Sequence, residues 1–379
     1  MKKDIHVVYI ITQLELGGAQ KVCLSLFQEL KKNQYTSHLI AGPTGPLSYS
    51  IAKNKQVYFI DSMKRDVGIK SLWREIHNFL TIVRLLKNLK KKNRTIIVHT
   101  HSTKAGIVGR WAAFFARIPL RIHTIHGFAF HNHQSIFIWS LIYAIELITS
   151  LITTHFVCVS QKDAKTGSRL FPKFNKKHSI IRAAVETKQF YRAAKKYTHF
   201  SSNHFIFGTI SCFKPQKNII DLLQAFYRVY LQNPQVRLEI IGDGIMRSEI
   251  EQWIFNHNLT HAIMLHGWQQ NVAIHMLRWN CFVLSSLWEG LPCAVIEARL
   301  LKLPVVSYNV GGIKEIIEHN KNGLLSTPKD VLSLSQNMNY LVKEELAYKQ
   351  MKNYCDNFYD YKIETMLAKH HELYSKLLQ

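Results

Sequence analysis

The sequence predicts an α/β protein built from two Rossmann-like domains, each a parallel sheet flanked by helices. Short apolar runs alternate with longer segments of helical periodicity, the pattern of repeated strand–helix units. The alternation begins at residue 5, breaks over a polar, basic stretch at 186–203 read as a linker, and restarts at Phe205. A length of 379 residues favours two domains with a core each. The expected division is 1–190 and 200–357, with a final helical segment at 358–379.

Composition narrows the class. The chain is 47% hydrophobic with a mean hydropathy of -0.08, as expected of a soluble globular protein. Its six cysteines, at 23, 158, 212, 281, 293 and 355, form no C-x-x-C pair and read as reduced thiols of a cytosolic protein. The net charge of +24 is unevenly spread. Residues 1–200 hold 32 Lys and Arg against 9 Asp and Glu, a net of +23, whereas residues 201–379 hold 17 against 16, a net of +1. A basic half beside a neutral half implies that the first half meets a polyanion, either nucleic acid or an anionic membrane.

In the first half, the apolar run at 5–11 (IHVVYII) is read as a strand rather than a signal peptide, because it is short and lacks a small-residue cleavage site. Gly17 and Gly18 follow, then a helical pattern at Val22, Leu24, Leu26, Phe27 and Leu30. Strand, glycine turn and helix together let a backbone approach a phosphate; a plain tight turn is the other reading of the same glycines. Runs at 38–41 and 57–60 continue the alternation. Residues 64–94 place Leu72, Ile76, Phe79, Leu80, Val83, Leu86 and Leu89 at helical spacing among ten Lys and Arg and two acids. Such a helix either lies on anionic headgroups or packs its stripe on the core behind a solvated basic face; the charge asymmetry favours the membrane. Strands at 96–98 and 121–124 flank a helix that starts near Ser102 and Thr103 and ends before Pro119. His99, His101 and His126 fall at strand ends on the crevice edge, without a convincing metal-ligand set, and the helix start at Ser102, Thr103 and Lys104 is a candidate anion contact. Residues 136–159 are the most hydrophobic stretch, interrupted by Glu146 and several Thr and Ser. A membrane crossing needs about 20 predominantly apolar residues, so 136–152 is read as a buried or membrane-grazing helix leading into a strand at 155–159.

In the second half, strands are expected at 205–211, 237–242 and 263–267, with a helix carrying Ile219, Leu222, Leu223, Phe226 and Val229. Lys214 and Lys217 sit between that first strand and its helix, Gly242 ends the second strand, and Gly267 and Trp268 end the third. A strand at 281–284 opens into a polar turn, a helix at 294–301 and a second apolar run at 303–308 that ends at Gly311 and Gly312. This segment carries Glu289 in the turn and Glu297 on the helix, eight residues apart. Two carboxylates there suit hydroxyls of a sugar or ribose; two solvated surface charges are the plainer reading. Residues 331–379 read as helical.

The string EGLPCAVIEA at 289–298, followed by PVVSYNVGGIKEII at 304–317, resembles the E-x7-E signature of family 4 glycosyltransferases, the retaining nucleotide-sugar enzymes with the GT-B fold. HTHSTKAGIVGR at 99–110 and HTIHGF at 123–128 resemble the first domain of capsule and polysaccharide members of that family, and the likeness covers nearly the whole chain. It implies two Rossmann-like domains facing each other across a deep cleft, with the last helix packing back on the first domain. It also implies roles. His126 would lie beside the donor's anomeric centre, and Lys217 would hold the donor phosphates. Glu297 would accept hydrogen bonds from the ribose, while Glu289, Gly290 and Leu291 approach the sugar and phosphates. Gly17 and Gly18 match the glycine loop of the first domain. Gly242, Gly267 and Trp268 would border the nucleotide, with Trp268 packing rather than stacking on the base. One position departs from the family: the arginine usually found five residues before the lysine is Cys212. Either Lys214 takes over part of the phosphate clamp, as a point charge rather than a fork, or the enzyme is weak or inactive.

A departing diphosphate needs developing charge stabilised, and without a metal the means are Lys or Arg side chains and helix N-termini. No D-x-D motif occurs, and no metal or other cofactor is expected. The function these readings imply is retaining transfer of a hexose or N-acetylhexosamine from a nucleotide-sugar, a UDP-sugar in the first instance. The acceptor would be a lipid-linked glycan or surface polysaccharide at the cytoplasmic face of the membrane, with residues 64–94 as the anionic-surface dock. The alternative is a transferase-like sugar-nucleotide-binding protein of weak or lost activity. Nucleic acid is disfavoured, since neither a docking module nor interleaved aromatic and Arg residues are found.

Overall fold

The first sheet contains β1 (Ile5–Ile10), β2 (Tyr35–Ala41), β3 (Val57–Phe59), β4 (Thr95–His101), β5 (Leu120–Ile125), β6 (His155–Cys158) and β7 (His178–Ile180). The structure is a computed structural model describing residues 5–30, 35–64, 72–93, 95–131, 134–196 and 203–379. The strands run in the order β3-β2-β1-β4-β5-β6-β7, every neighbouring pair parallel. Sequence order reverses between β1 and β4, and in such sheets ligands bind beyond the strand ends at that switch point. Strands buried on both faces read as unbroken apolar runs, and Val7 to Ile10 have no exposed surface.

Helices α1 (Gly18–Glu29), α2 (Leu72–Lys92), α3 (Thr103–Phe115), α4 (Ile136–Ile152) and α5 (Gln161–Leu170) cover this sheet. On one face Val8, Ile10 and Val98 pack with Ile82, Val83 and Leu86 of α2 and with Ala105 and Ala112 of α3. The apolar stripe of α2 is therefore divided. Its C-terminal half is core, while Trp73, Ile76 and Leu80 near its start are exposed. Residues 65–71 and 94 of the basic stretch lie outside the described residues.

The second sheet contains β8 (Ile206–Ile210), β9 (Arg237–Ile241), β10 (Ile263–Leu265), β11 (Cys281–Leu284), β12 (Val305–Tyr308) and β13 (Gly323–Ser326). Its order is β10-β9-β8-β11-β12-β13, again all parallel, with the switch point between β8 and β11. Helices α7 (Ile219–Gln232), α8 (Arg247–Asn256), α9 (Val272–Met276), α10 (Cys293–Leu300), α11 (Val331–Lys343) and α12 (Glu345–Asn353) accompany it.

The chain divides into one unit of Met1–Ala184 with Ile363–Gln379 and another of Val185–Lys362. The stretch at 186–203, expected as linker, instead holds helix α6 (Thr187–Lys196) of the second unit, which packs on α9 and α10. Only Thr187, Phe190 and Ala193 are buried in it, too sparse a stripe to stand out among basic residues. The expected helical tail is also interrupted. After α12 the chain runs without α-helix until α13 (Ile363–Leu377), which belongs to the first unit and supplies Tyr374 and His370 to its core. Beside this return, the Val185 amide donates to the Tyr361 carbonyl at 3.0 Å.

Candidate functional site

In the second unit, the loops following β8 and β11 meet at the switch point. Lys217 ends a short 3-10 turn (Pro215–Lys217) after β8, and Glu289 lies in the loop after β11. The Lys217 ammonium donates to the Glu289 carboxylate. Lys217 keeps 21% of its side chain exposed and Glu289 9%, so the pair is sheltered but reachable. The two loops are sewn together by hydrogen bonds to main-chain carbonyls. Ser285 Oγ donates to the carbonyls of Lys217 and Asn218 at 3.0 and 2.9 Å, the Leu287 amide to Gln216 O at 2.9 Å, and Gln216 Nε2 to Trp288 O at 2.8 Å. Ser285 and Gln216 therefore fix where Lys217 and Glu289 stand, although neither drew attention as a site residue. Short polar residues beside an apolar strand end are the only signal the sequence offered.

Glycines complete the loop geometry. Gly311 has φ +54°, and a Cβ there would sit 2.1 Å from the Glu289 carbonyl oxygen. The neighbouring Gly312 amide donates to Gly290 O at 2.7 Å, so the glycine pair backs the Glu289–Gly290 turn directly. Gly242, φ +132°, lets the end of β9 approach the Ser211 carbonyl, where a Cβ would fall within 1.8 Å. Glu297 lies on α10, one of whose ends follows directly on this turn, and is 4% exposed; Leu291 is 7% exposed. Lys214 and Cys212 lie half-buried on the β8 loop. Gly267 is at φ +66° with open space around it, and Trp268, expected to pack, keeps 40% of its surface exposed.

Close to Gly267, Glu239, His266 and His275 bring potential metal-ligand atoms within 4.8 Å of one another, the one such group among the described residues. Glu239 is already compensated. Its Oε2 lies 3.1 Å from His266 Nε2 and accepts from Trp279 Nε1 at 3.0 Å, with Arg278 3.6 Å from Oε1. A carboxylate so surrounded reads as a paired buried charge.

In the first unit, the strand ends carry a buried histidine network. His99 bonds through Nδ1 to the Tyr374 hydroxyl at 2.5 Å and through Nε2 to Thr124 Oγ1 at 2.7 Å. His101 Nδ1 lies 3.0 Å from His126 Nε2, while His101 Nε2 is buried with no hydrogen-bond partner. Burial pushes the His126 pKa down to about 3, assisted by the charge of His370, and holds His99 and His101 well below the usual histidine value. His126 is therefore a neutral imidazole at physiological pH, held from one side by His101. Gly17 and Gly18 stand where β1 passes into α1, with Gly17 the N-cap. Nearby Thr12 Oγ1 and Ser102 Oγ, 2.9 Å apart, link the loops after β1 and β4. Lys104, read as part of an anion contact, instead pairs with Glu75 at 2.7 Å and donates to Lys64 O, which occupies that cation.

Two units of parallel α/β architecture, with polar groups gathered at both switch points, are the architecture of the GT-B class. Residues 16–189 match the family described as Glycosyltransferase Family 4, and residues 192–358 match that described as Glycosyl transferases group 1. The chain belongs to these family 4-type glycosyltransferases and resembles their capsule members. It is 28% identical over 336 residues to the UDP-Gal:alpha-D-GlcNAc-diphosphoundecaprenol alpha-1,3-galactosyltransferase of Escherichia coli, covering 86% of this chain and 85% of that one. It is 22% identical to the capsular polysaccharide biosynthesis glycosyltransferase CapM of Staphylococcus aureus, covering 91% and 88%. Among solved structures, Anabaena Alr3699/HepE in complex with UDP and glucose superposes with a TM-score of 0.80 at 17% identity, over 98% of this chain and 99% of that one.

Proposed function

We infer that this glycosyltransferase moves a hexose or N-acetylhexosamine from a UDP-sugar to a lipid-linked glycan in surface-polysaccharide synthesis, with retention of anomeric configuration. The observation that carries the reading is the meeting of Lys217 and Glu289 at the β8/β11 switch point, with Glu297 eight residues on. In this reading Lys217, with Lys214 nearby, stabilises the departing diphosphate, Glu297 accepts from the ribose hydroxyls, and Glu289, Gly290 and Leu291 border the sugar. The neutral His126 lies beside the anomeric carbon as a hydrogen-bonding group. The acceptor oxygen bonds to the anomeric carbon on the leaving-group face as the carbon–phosphate-oxygen bond breaks, and the acceptor proton passes to the departing phosphate. Lys217 and helix N-termini supply the charge stabilisation, so the chemistry proceeds without a metal. A UDP-galactose donor and a diphosphoundecaprenol-linked acceptor, named for the Escherichia coli relative, support the donor and acceptor classes. The enzyme then works at the cytoplasmic membrane face, drawn there in part by the basic residues at 64–94.

The test is a screen of UDP-, GDP- and ADP-sugars for thermal stabilisation, followed by transfer assays on polyprenyl-diphosphate-linked saccharides. Lys217→Ala is expected to lower kcat by roughly 100- to 1,000-fold, the usual loss on removing one donor from developing anionic charge. Glu297→Gln is expected chiefly to weaken donor binding. Cys212 gives the competing reading its basis: UDP binding with no turnover under any donor would make the chain a binding protein, and Cys212→Arg would then be expected to restore transfer.

A further inference from the structure

Helix α4 is apolar on both sides, which a helix at a water surface ordinarily is not. Its inner side chains are accounted for. Trp139, Ile142 and Tyr143 pack against the Phe130–Phe171 cluster. Glu146, the sole charged residue of α4, pairs with buried Arg110 at 2.8 Å, and Thr149 accepts from Trp111 Nε1 at 3.0 Å. The buried residues of the helix are thus its polar ones, Glu146, Thr149 and Ser150. The outer side carries Phe137, Leu141, Ile145, Ile148 and Leu151, spaced along one face and exposed by 84, 61, 38, 54 and 68%. On neighbouring α3, Phe114 and Phe115 are exposed by 43 and 55%. A contiguous apolar face of this extent marks a contact with something other than water.

We propose that α4, with Phe114 and Phe115, seats in the headgroup–acyl boundary of an anionic bilayer, lying flat along it. At 17 residues α4 is about 25 Å long, and no described helix is long and apolar enough to cross a membrane. An interfacial helix instead buries its apolar face about 5–10 Å deep. Charge selects this occupant over a second copy of the chain. Exposed Arg117 borders the aromatic pair, and the exposed Lys90 reaches it, its ammonium donating to the Arg117 carbonyl at 2.6 Å. The first 200 residues carry a net +23, so a self-pair through this face would bring two strongly basic halves together. An anionic leaflet complements both features, the apolar stripe by insertion and the cations by attraction.

This surface rests on the membrane-linked acceptor inferred above, and it adds to the basic stretch an apolar element that salt does not screen. The experiment is flotation of the full chain with phosphatidylcholine vesicles, with and without phosphatidylglycerol, at low and high salt. The wild type is expected to float with the anionic vesicles and to remain partly bound at high salt. The triple variant Phe137→Ser, Leu141→Ser, Ile148→Ser is expected to lose more than tenfold in vesicle affinity while keeping its circular dichroism and melting temperature. Equal flotation of wild type and variant overturns the proposal, as does complete release of the wild type by salt. A wild-type dimer that the variant converts to monomer, with neither binding vesicles, overturns it in favour of a second copy. Vesicle binding without transfer to a polyprenyl-linked acceptor leaves this surface standing and sinks the acceptor reading. Transfer in detergent without vesicle binding does the reverse.

Discussion

His99, His101, His126 and His370 show how burial turns a titratable group into a structural one. Burial comes first among the causes that lower each pKa, to about 3 for His126 and about 4 for His370. A histidine whose pKa falls on folding binds its proton more readily when unfolded. These residues therefore stabilise the fold fully above their ordinary value near 6.5, and that contribution is lost as pH falls toward 4. The melting temperature is expected to fall as pH drops across that window. His370→Gln should flatten the dependence, since one titrating histidine is worth up to about 1.4 kcal/mol per pH unit. His101→Asn tests the tie to His126: a positioning role predicts a fall in kcat with KM for donor little changed, while a purely structural role lowers the melting temperature alone. The strand-end histidines were legible because each follows an apolar run. Tyr374, the partner of His99, was not, because the two are 275 residues apart and only the completed fold joins them.

Single elements decide whether these residues stand where they are needed. The turn carrying Glu289 leans on Gly311, whose left-handed backbone and contact with the Glu289 carbonyl leave no room for a side chain. Gly311→Ala should displace that turn and cost roughly 1–3 kcal/mol of stability, read by chemical denaturation, with donor affinity falling more than stability alone explains. Removing one partner of the Arg110–Glu146 pair strands a buried charge, so Glu146→Gln is expected to cost on the order of 3 kcal/mol by the same measurement. The long elements were readable from periodicity, and the strand, turn and helix around Glu289 from their apolar runs and glycines. β7 and β13 were not, since HSI and GLLS are too short to show a pattern. The run 136–152 announced a helix, but periodicity cannot say which side of an all-round apolar helix is left uncovered.

At the scale of the whole molecule, the charge asymmetry and the repeated alternation told of two unlike halves built on one plan. The sequence order of the helices does not by itself show that the first unit is discontinuous; only the family resemblance implied that the last helix returns to it. The chain leaves that unit at Ala184 and re-enters it at Ile363, and what returns is α13, bearing the tyrosine that satisfies His99. Deleting 363–379 is expected to leave the second unit's unfolding transition in place while lowering and broadening that of the first, as differential scanning calorimetry would resolve. There is also a temporal side to this layout. The ribosome must make the 178 residues of Val185–Lys362 before it supplies Ile363, a wait of roughly 10–35 s at bacterial-to-eukaryotic elongation speeds. Throughout that interval the nascent first unit has its sheet but not its closing helix, so its polar seam stays open to chaperones and proteases until α13 has emerged.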